Sequence, residues 1–170
     1  MRAENLSIYL NDHVAGATYG VGLARRIARQ HRKGAHGGEL QRLAGQIAED
    51  RQALLGFMDE LGVPARRYKI YGGRVAERLS RMKPNGALYL RSGLSTLIEL
   101  ETLRLGVEGK SLVWRTLLLV AQQEHVLDEA RIRVLLDRAL GQIEALERLR
   151  LAAASAIFSP GARSGASPKG

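Results

Sequence analysis

The spacing of hydrophobic residues predicts four long helices. In four stretches, apolar side chains recur at intervals of three and four residues, which places them on one face of an α-helix. These stretches are residues 6–30, 39–61, 92–122 and 128–158. Gly62 followed by Pro64 is a stop signal for the second helix, and Ser92 and Asp128 are suited to cap the starts of the third and fourth. The pattern indicates an all-α fold, a four-helix bundle.

The third predicted helix is the most apolar, and it contains the only tryptophan, Trp114. One broad face is predicted to hold Leu94, Leu97, Leu105, Leu112 and Leu119. A second stripe beside it holds Leu100, Leu103, Val107, Trp114 and Leu118. Because a helix that is apolar over so wide an arc has to be enclosed by several neighbours, we expect it to be the central helix of the bundle.

The remaining segments complete the predicted domain organisation. Small residues at Gly16, Gly20 and Ala24 would let a neighbouring helix approach the first helix closely. Apolar residues at helical spacing in residues 65–91 predict a short extra helix in the crossover between the second and third helices. We expect residues 1–158 to form the bundle and residues 159–170, which lack an apolar anchor, to be a disordered tail.

Composition narrows the class of protein. Hydrophobic residues make up 45% of the 170 residues, which favours a single globular domain over a disordered chain. The absence of cysteine excludes disulfides, thiolate nucleophiles and thiolate metal sites. No segment is apolar enough to span a membrane, and the first residues lack the apolar run of a secretory signal, so we expect a cytoplasmic protein.

The net charge of +9 is concentrated in the crossover. Residues 62–91 hold eight basic residues against one glutamate. Those predicted to form a polyanion-binding patch are Arg66, Arg67, Lys69, Arg74, Arg78, Arg81 and Lys83. A patch of this kind attracts nucleic acid, although a solvated basic surface without a partner explains the same charge.

Three features resemble those of a known superfamily. They are the helix order, the long connection between the second and third helices, and the segments YLNDHVAG, AEDR and ELETLRLGVEGK. Over roughly residues 6–158 the chain resembles the ferritin-like superfamily, in particular small bacterial members of it. The resemblance implies a bundle able to hold a di-iron or di-manganese carboxylate centre between its helices. Such centres use two Glu-x-x-His motifs, and this chain contains none, so a standard dinuclear oxidase site is not expected.

Two interpretations of the charged residues at predicted core positions remain open. One is an atypical iron, manganese or zinc site formed by His13, Asp50 and Glu101, since imidazole and carboxylate groups suit these metals. The other is a buried polar layer without a metal or other cofactor. In that layer Arg51 pairs with Glu101 and His13 pairs with Asp50. Two further residues complete it, Gln142 and Arg150. The layer is favoured, because the Arg51 cation competes with a metal for the same carboxylates.

The sequence favours a non-catalytic bundle that acts as an interaction or stress-associated protein. The apolar arc of the third helix suggests self-association as a homodimer. The alternatives are a basic bundle that binds DNA or another polyanion, and an oxidoreductase with an atypical metal site.

Overall fold

The computed structural model describes residues 2–65 and 93–159, which form four helices. In order they are α1 (Arg2–Gln30), α2 (Gly37–Glu60), α3 (Gly93–Glu124) and α4 (Glu129–Phe158). The prediction of an all-α four-helix bundle is confirmed for these residues. The predicted extra helix, the Ser92 cap and most of the predicted tail lie outside the described residues. No described helix combines the length and the apolar character that a membrane crossing requires.

Helices α1 and α3 pack side by side in opposite directions. Near the start of α1, the Tyr9 hydroxyl is 3.1 Å from Thr116 Oγ1, close to the end of α3. Near the end of α1, Arg26 Nη2 is 2.9 Å from Glu99 Oε1, close to the start of α3. The two contacts fix an antiparallel arrangement.

Helices α2 and α4 are also antiparallel, and ion pairs fix their register. Arg148 Nη2 is 3.1 Å from Glu39 Oε1 at one end, and Arg131 Nη1 is 2.7 Å from Glu60 Oε1 at the other. Short links make α1–α2 and α3–α4 antiparallel hairpins. It follows that α2 and α3 run in the same direction, so the end of α2 and the start of α3 lie at opposite ends of the bundle.

The core lies where the apolar faces of all four helices meet. Its fully buried large side chains include Leu10, Ile27, Phe57, Trp114, Leu117, Ile132 and Leu146. The second predicted stripe of α3 faces this core, but three leucines of the first stripe do not. Leu105, Leu112 and Leu119 are 56%, 53% and 61% exposed, so the prediction that they are enclosed within the chain is wrong. The face of α3 centred on Trp114 turns towards the other helices, which leaves this leucine row on the opposite side.

The helix ends follow the predicted local chemistry. Asp128 Oδ1 accepts hydrogen bonds of 2.9 and 3.2 Å from two backbone N–H groups in the first turn of α4, as a capping residue does. Gly62, just after α2, has a φ of +65°, the left-handed conformation that glycine adopts without strain. At Gly37 an added Cβ would lie 2.5 Å from the carbonyl oxygen of Arg32, so the tight turn into α2 requires glycine.

Candidate functional site: a buried polar layer beside an apolar cavity

A buried carboxylate, Asp50, is the centre of a polar layer that joins three helices. Its side chain has 0% exposure. Lys110 of α3 donates to Asp50 Oδ2, and Arg138 of α4 donates to Asp50 Oδ1. Gln142 of α4 also donates from Nε2 to Asp50 Oδ2 at 3.1 Å. Both carboxylate oxygens therefore have a cationic donor, which is the condition under which a buried charge is tolerated.

These side chains enter the interior because each occupies a core position on its helix. Asp50 lies one turn from Ile47 and from Leu54 on the buried face of α2. Lys110 lies four residues before Trp114 on α3, at the same helical face. A polar residue at such a position has to find partners on neighbouring helices, so the layer also sets which helices are adjacent.

Lys110 is the least exposed cation of the layer. Its side chain is 14% exposed. Burial lowers its pKa from the usual value, and the attraction of the Asp50 carboxylate partly opposes this shift. Its Nζ also donates to Gln142 Oε1, which orients the amide so that Gln142 Nε2 donates to Asp50.

Arg138 connects the layer to the surface. Its Nη1 donates to Glu49 Oε2 at 2.9 Å, and the Glu49 side chain is 68% exposed. The polar layer thus extends from Lys110 on α3, through Asp50, to the solvent-exposed Glu49 on α2.

The structure places the predicted layer residues in different surroundings. Asp50 and Gln142 lie together in the layer. Glu101 is exposed and lies 3.7 Å from Arg150, which forms a closer pair with Glu147 at 2.7 Å. Glu101 lies on the same exposed face of α3 as Leu105, so it is outside the layer. The expected pairing of Glu101 with Arg51 is not formed.

Arg51 and His13 contact other groups than those expected. Arg51 Nε donates to Thr18 Oγ1 at 2.6 Å. The His13 ring packs edge-on against Tyr9, with centroids 4.5 Å apart, and no hydrogen bond joins it to Asp50 in the described residues. Burial lowers the pKa of His13, with a smaller opposing effect from Asp12.

Two members of the layer, Lys110 and Arg138, were missed by sequence reasoning. Each carries a detectable signal, because Lys110 shares the face of Trp114 and Arg138 lies one turn before Gln142. No group of three or more histidine, aspartate or glutamate side chains is close enough to hold a metal ion within residues 2–65 and 93–159. The described bundle therefore contains no metal-binding cluster.

An apolar cavity of about 560 Å³ lies beside this layer, between α1, α2 and α3. Its lining is mostly apolar, and its ionisable lining residues are His13, Asp50, Arg51 and Lys110, together with Tyr19 on the exposed side. The exposed members of the lining, Gly16, Tyr19, Leu105 and Gly106, form a rim between α1 and α3.

Four glycines account for the space at this rim. Gly16 and Gly20 of α1 and Gly106 and Gly109 of α3 line the cavity, and an added Cβ at any of them would meet nothing within 4 Å. The prediction that Gly16 and Gly20 allow a close helix approach is therefore wrong. They leave a gap between helices instead of closing one.

Trp114 lines the cavity and carries a buried hydrogen-bond donor. The residue is 0% exposed and packs edge-on against Phe57, with ring centroids 6.1 Å apart. Its indole Nε1–H has no hydrogen-bond acceptor among the described residues. A buried donor without an acceptor is uncommon and costly.

The predicted polyanion patch, Arg66 to Lys83, lies outside the described residues and stays a prediction. Comparisons with protein-family models, with curated proteins and with solved structures find no match to this chain.

Proposed function

We propose that the protein is a non-catalytic helical bundle that binds a small, mainly apolar ligand in the cavity between α1, α2 and α3. The observation that carries the proposal is the size and mainly apolar lining of this space, which opens to the surface between α1 and α3. Protein interiors contain few voids larger than a water molecule, whereas ligand sites typically measure about 300–1,000 Å³. The cavity, at about 560 Å³, falls in the second class.

The chemistry of the lining supports binding more than catalysis. Asp50 and Lys110 neutralise each other, and both Asp50 oxygens are occupied by cationic donors. A carboxylate held in this way is a poor general base, because proton transfer would first break a buried ion pair. The resemblance to ferritin-like bundles agrees with a site placed between helices, with the polar layer in place of a di-iron centre.

The single tryptophan provides the test. Since Trp114 lines the cavity, its fluorescence reports on an occupant. Titration with ω-bromodecanol, whose bromine quenches a nearby indole, should give saturable quenching. Ala17→Phe, which places a ring in the cavity, should weaken the quenching, whereas Ala152→Phe on the exposed face of α4 should leave the quenching unchanged. Absence of saturable quenching in the unmodified protein would refute the proposal.

We further propose that the leucine row of α3 (Leu105, Leu112 and Leu119) binds a second copy of this chain. The residues repeat at seven-residue intervals, each more than half exposed. In an antiparallel pairing centred on Leu112, Leu105 of one copy faces Leu119 of the other. The same pairing brings Glu108 close to Arg115 of the second copy on the flank, so opposite charges meet twice.

Sedimentation across a range of protein concentrations tests this dimer. Leu112→Glu places two carboxylates together at the symmetry axis and should give a monomer at all concentrations. Leu151→Glu is a matched control, because Leu151 on α4 is also 53% exposed. A monomeric parent protein, or equal effects of the two substitutions, would contradict the proposal.

A further inference from the structure

Arg51 is a cation on the cavity wall that has no acidic partner among residues 2–65 and 93–159. Its Nε donates to the Thr18 hydroxyl at 2.6 Å, and no carboxylate lies within ion-pair distance of it among the described residues. A guanidinium group has five N–H donors in a planar fork. One is used by Thr18, so the two terminal amino groups remain available to an acceptor.

The other ionisable groups of the cavity do not supply a counter-charge for Arg51. The Asp50 carboxylate is held by Lys110 and Arg138. His13 is uncharged at neutral pH, since burial lowers its pKa below its usual value. The cavity wall therefore carries an excess of one positive charge in a mainly apolar setting, where a charge is stabilised by an opposite one.

Trp114 lines the same cavity, but its indole N–H lies below the cavity surface. It is fully buried and has no acceptor in the described part of the chain. A ligand with oxygen acceptors could therefore be bound by the terminal amino groups of Arg51, and not by this indole. Most of the wall is apolar, with residues such as Leu23, Leu54 and Val113, and suits an apolar body.

We propose that the ligand is an amphipathic monoanion, with a carboxylate bound by Arg51 and an apolar body that fills the remaining cavity. This inference rests on the proposed ligand-binding function. The planar guanidinium matches a carboxylate through two parallel hydrogen bonds, which distinguishes it from a neutral alcohol of the same length.

Two probes that differ only in their polar end test the inference. ω-Bromodecanoate and ω-bromodecanol are titrated against the full chain, with quenching of Trp114 as the readout. Because charge-assisted hydrogen bonds are stronger than neutral ones, we expect ω-bromodecanoate to bind roughly tenfold to a hundredfold more tightly than ω-bromodecanol. Arg51→Gln should abolish this preference for the carboxylate, whereas Arg51→Lys should keep part of it.

Controls separate the specific role of Arg51 from general effects. Arg29→Gln removes an exposed cation of α1 that does not line the cavity, and should leave the preference intact. Circular dichroism of each variant checks that the helices are retained. Equal affinity for both probes, or an equal loss of both in Arg51→Gln, would overturn the monoanion inference while the ligand-binding function stands. Failure of both probes to bind would overturn the two proposals together.

Discussion

Replacing Asp50 with asparagine tests whether the polar layer holds the bundle together. The substitution keeps the size and shape of the side chain, so it opens no cavity. It removes the negative charge that two cations share, Lys110 at 14% side-chain exposure and Arg138 at 27%. Arg138 keeps its surface partner Glu49, but Lys110 is left with only neutral acceptors.

The expected loss of stability follows from this geometry. Removing one partner of a buried ion pair costs about 3–5 kcal/mol, because the remaining charge stays buried without compensation. Since Arg138 retains Glu49, we expect the lower end, about 3 kcal/mol. For a chain of this length such a loss lowers the unfolding midpoint temperature by roughly 10 °C.

Urea unfolding, followed by Trp114 fluorescence and by circular dichroism, measures the effect. Glu60→Gln is the matched control, because its partner Arg131 is exposed and a surface pair contributes about 1 kcal/mol or less. Combining Asp50→Asn with Lys110→Met should recover about 1 kcal/mol or more relative to the sum of the single losses. If Asp50→Asn costs no more than Glu60→Gln, the layer does not stabilise the fold as argued.

Three further outcomes are expected. Gly16→Ala and Gly106→Ala should each raise the free energy of unfolding by roughly 0.5–1 kcal/mol in urea titrations, because alanine is the better helix former and its Cβ has open space. Gly62→Ala should lower the free energy of unfolding, since φ at Gly62 is +65°. Because the pKa of His13 is lowered in the folded chain, the unfolded chain binds more protons as pH falls below about 6.5, so the free energy of unfolding should decrease there. His13→Gln should flatten this decrease below about pH 6.5 in urea titrations at several pH values. Asp128→Ala should cost about 1 kcal/mol, measured in the same way, through loss of the α4 cap.

The helices could be predicted from the sequence because their signals are local. Hydrophobic spacing and the residues at helix ends act within one or two turns, which is why the Asp128 cap and the Gly62 stop agree with the structure. The partners in the polar layer could not be predicted in this way. Asp50 is separated from Lys110 by 60 residues and from Arg138 by 88, and their contact depends on how three helices are rotated about their axes.

The glycines show the same limit. Spacing indicated that Gly16 and Gly20 lie on one face of α1, but it did not indicate whether a neighbour fills or leaves the space above them. The structure leaves that space open, because Gly106 and Gly109 of α3 lie on the wall of the same cavity. A gap of this kind arises from two helices together, so neither helix predicts it alone.

Leu105 belongs to two surfaces, the rim of the cavity and the leucine row proposed to bind a second copy. An occupant that shifts this side chain alters the fit between two copies, and pairing of two copies alters the entrance for an occupant. Thermodynamic linkage makes the two effects equal in free energy. Ligand binding should therefore change the association constant of two copies, and association of two copies should change the ligand affinity, by the same factor.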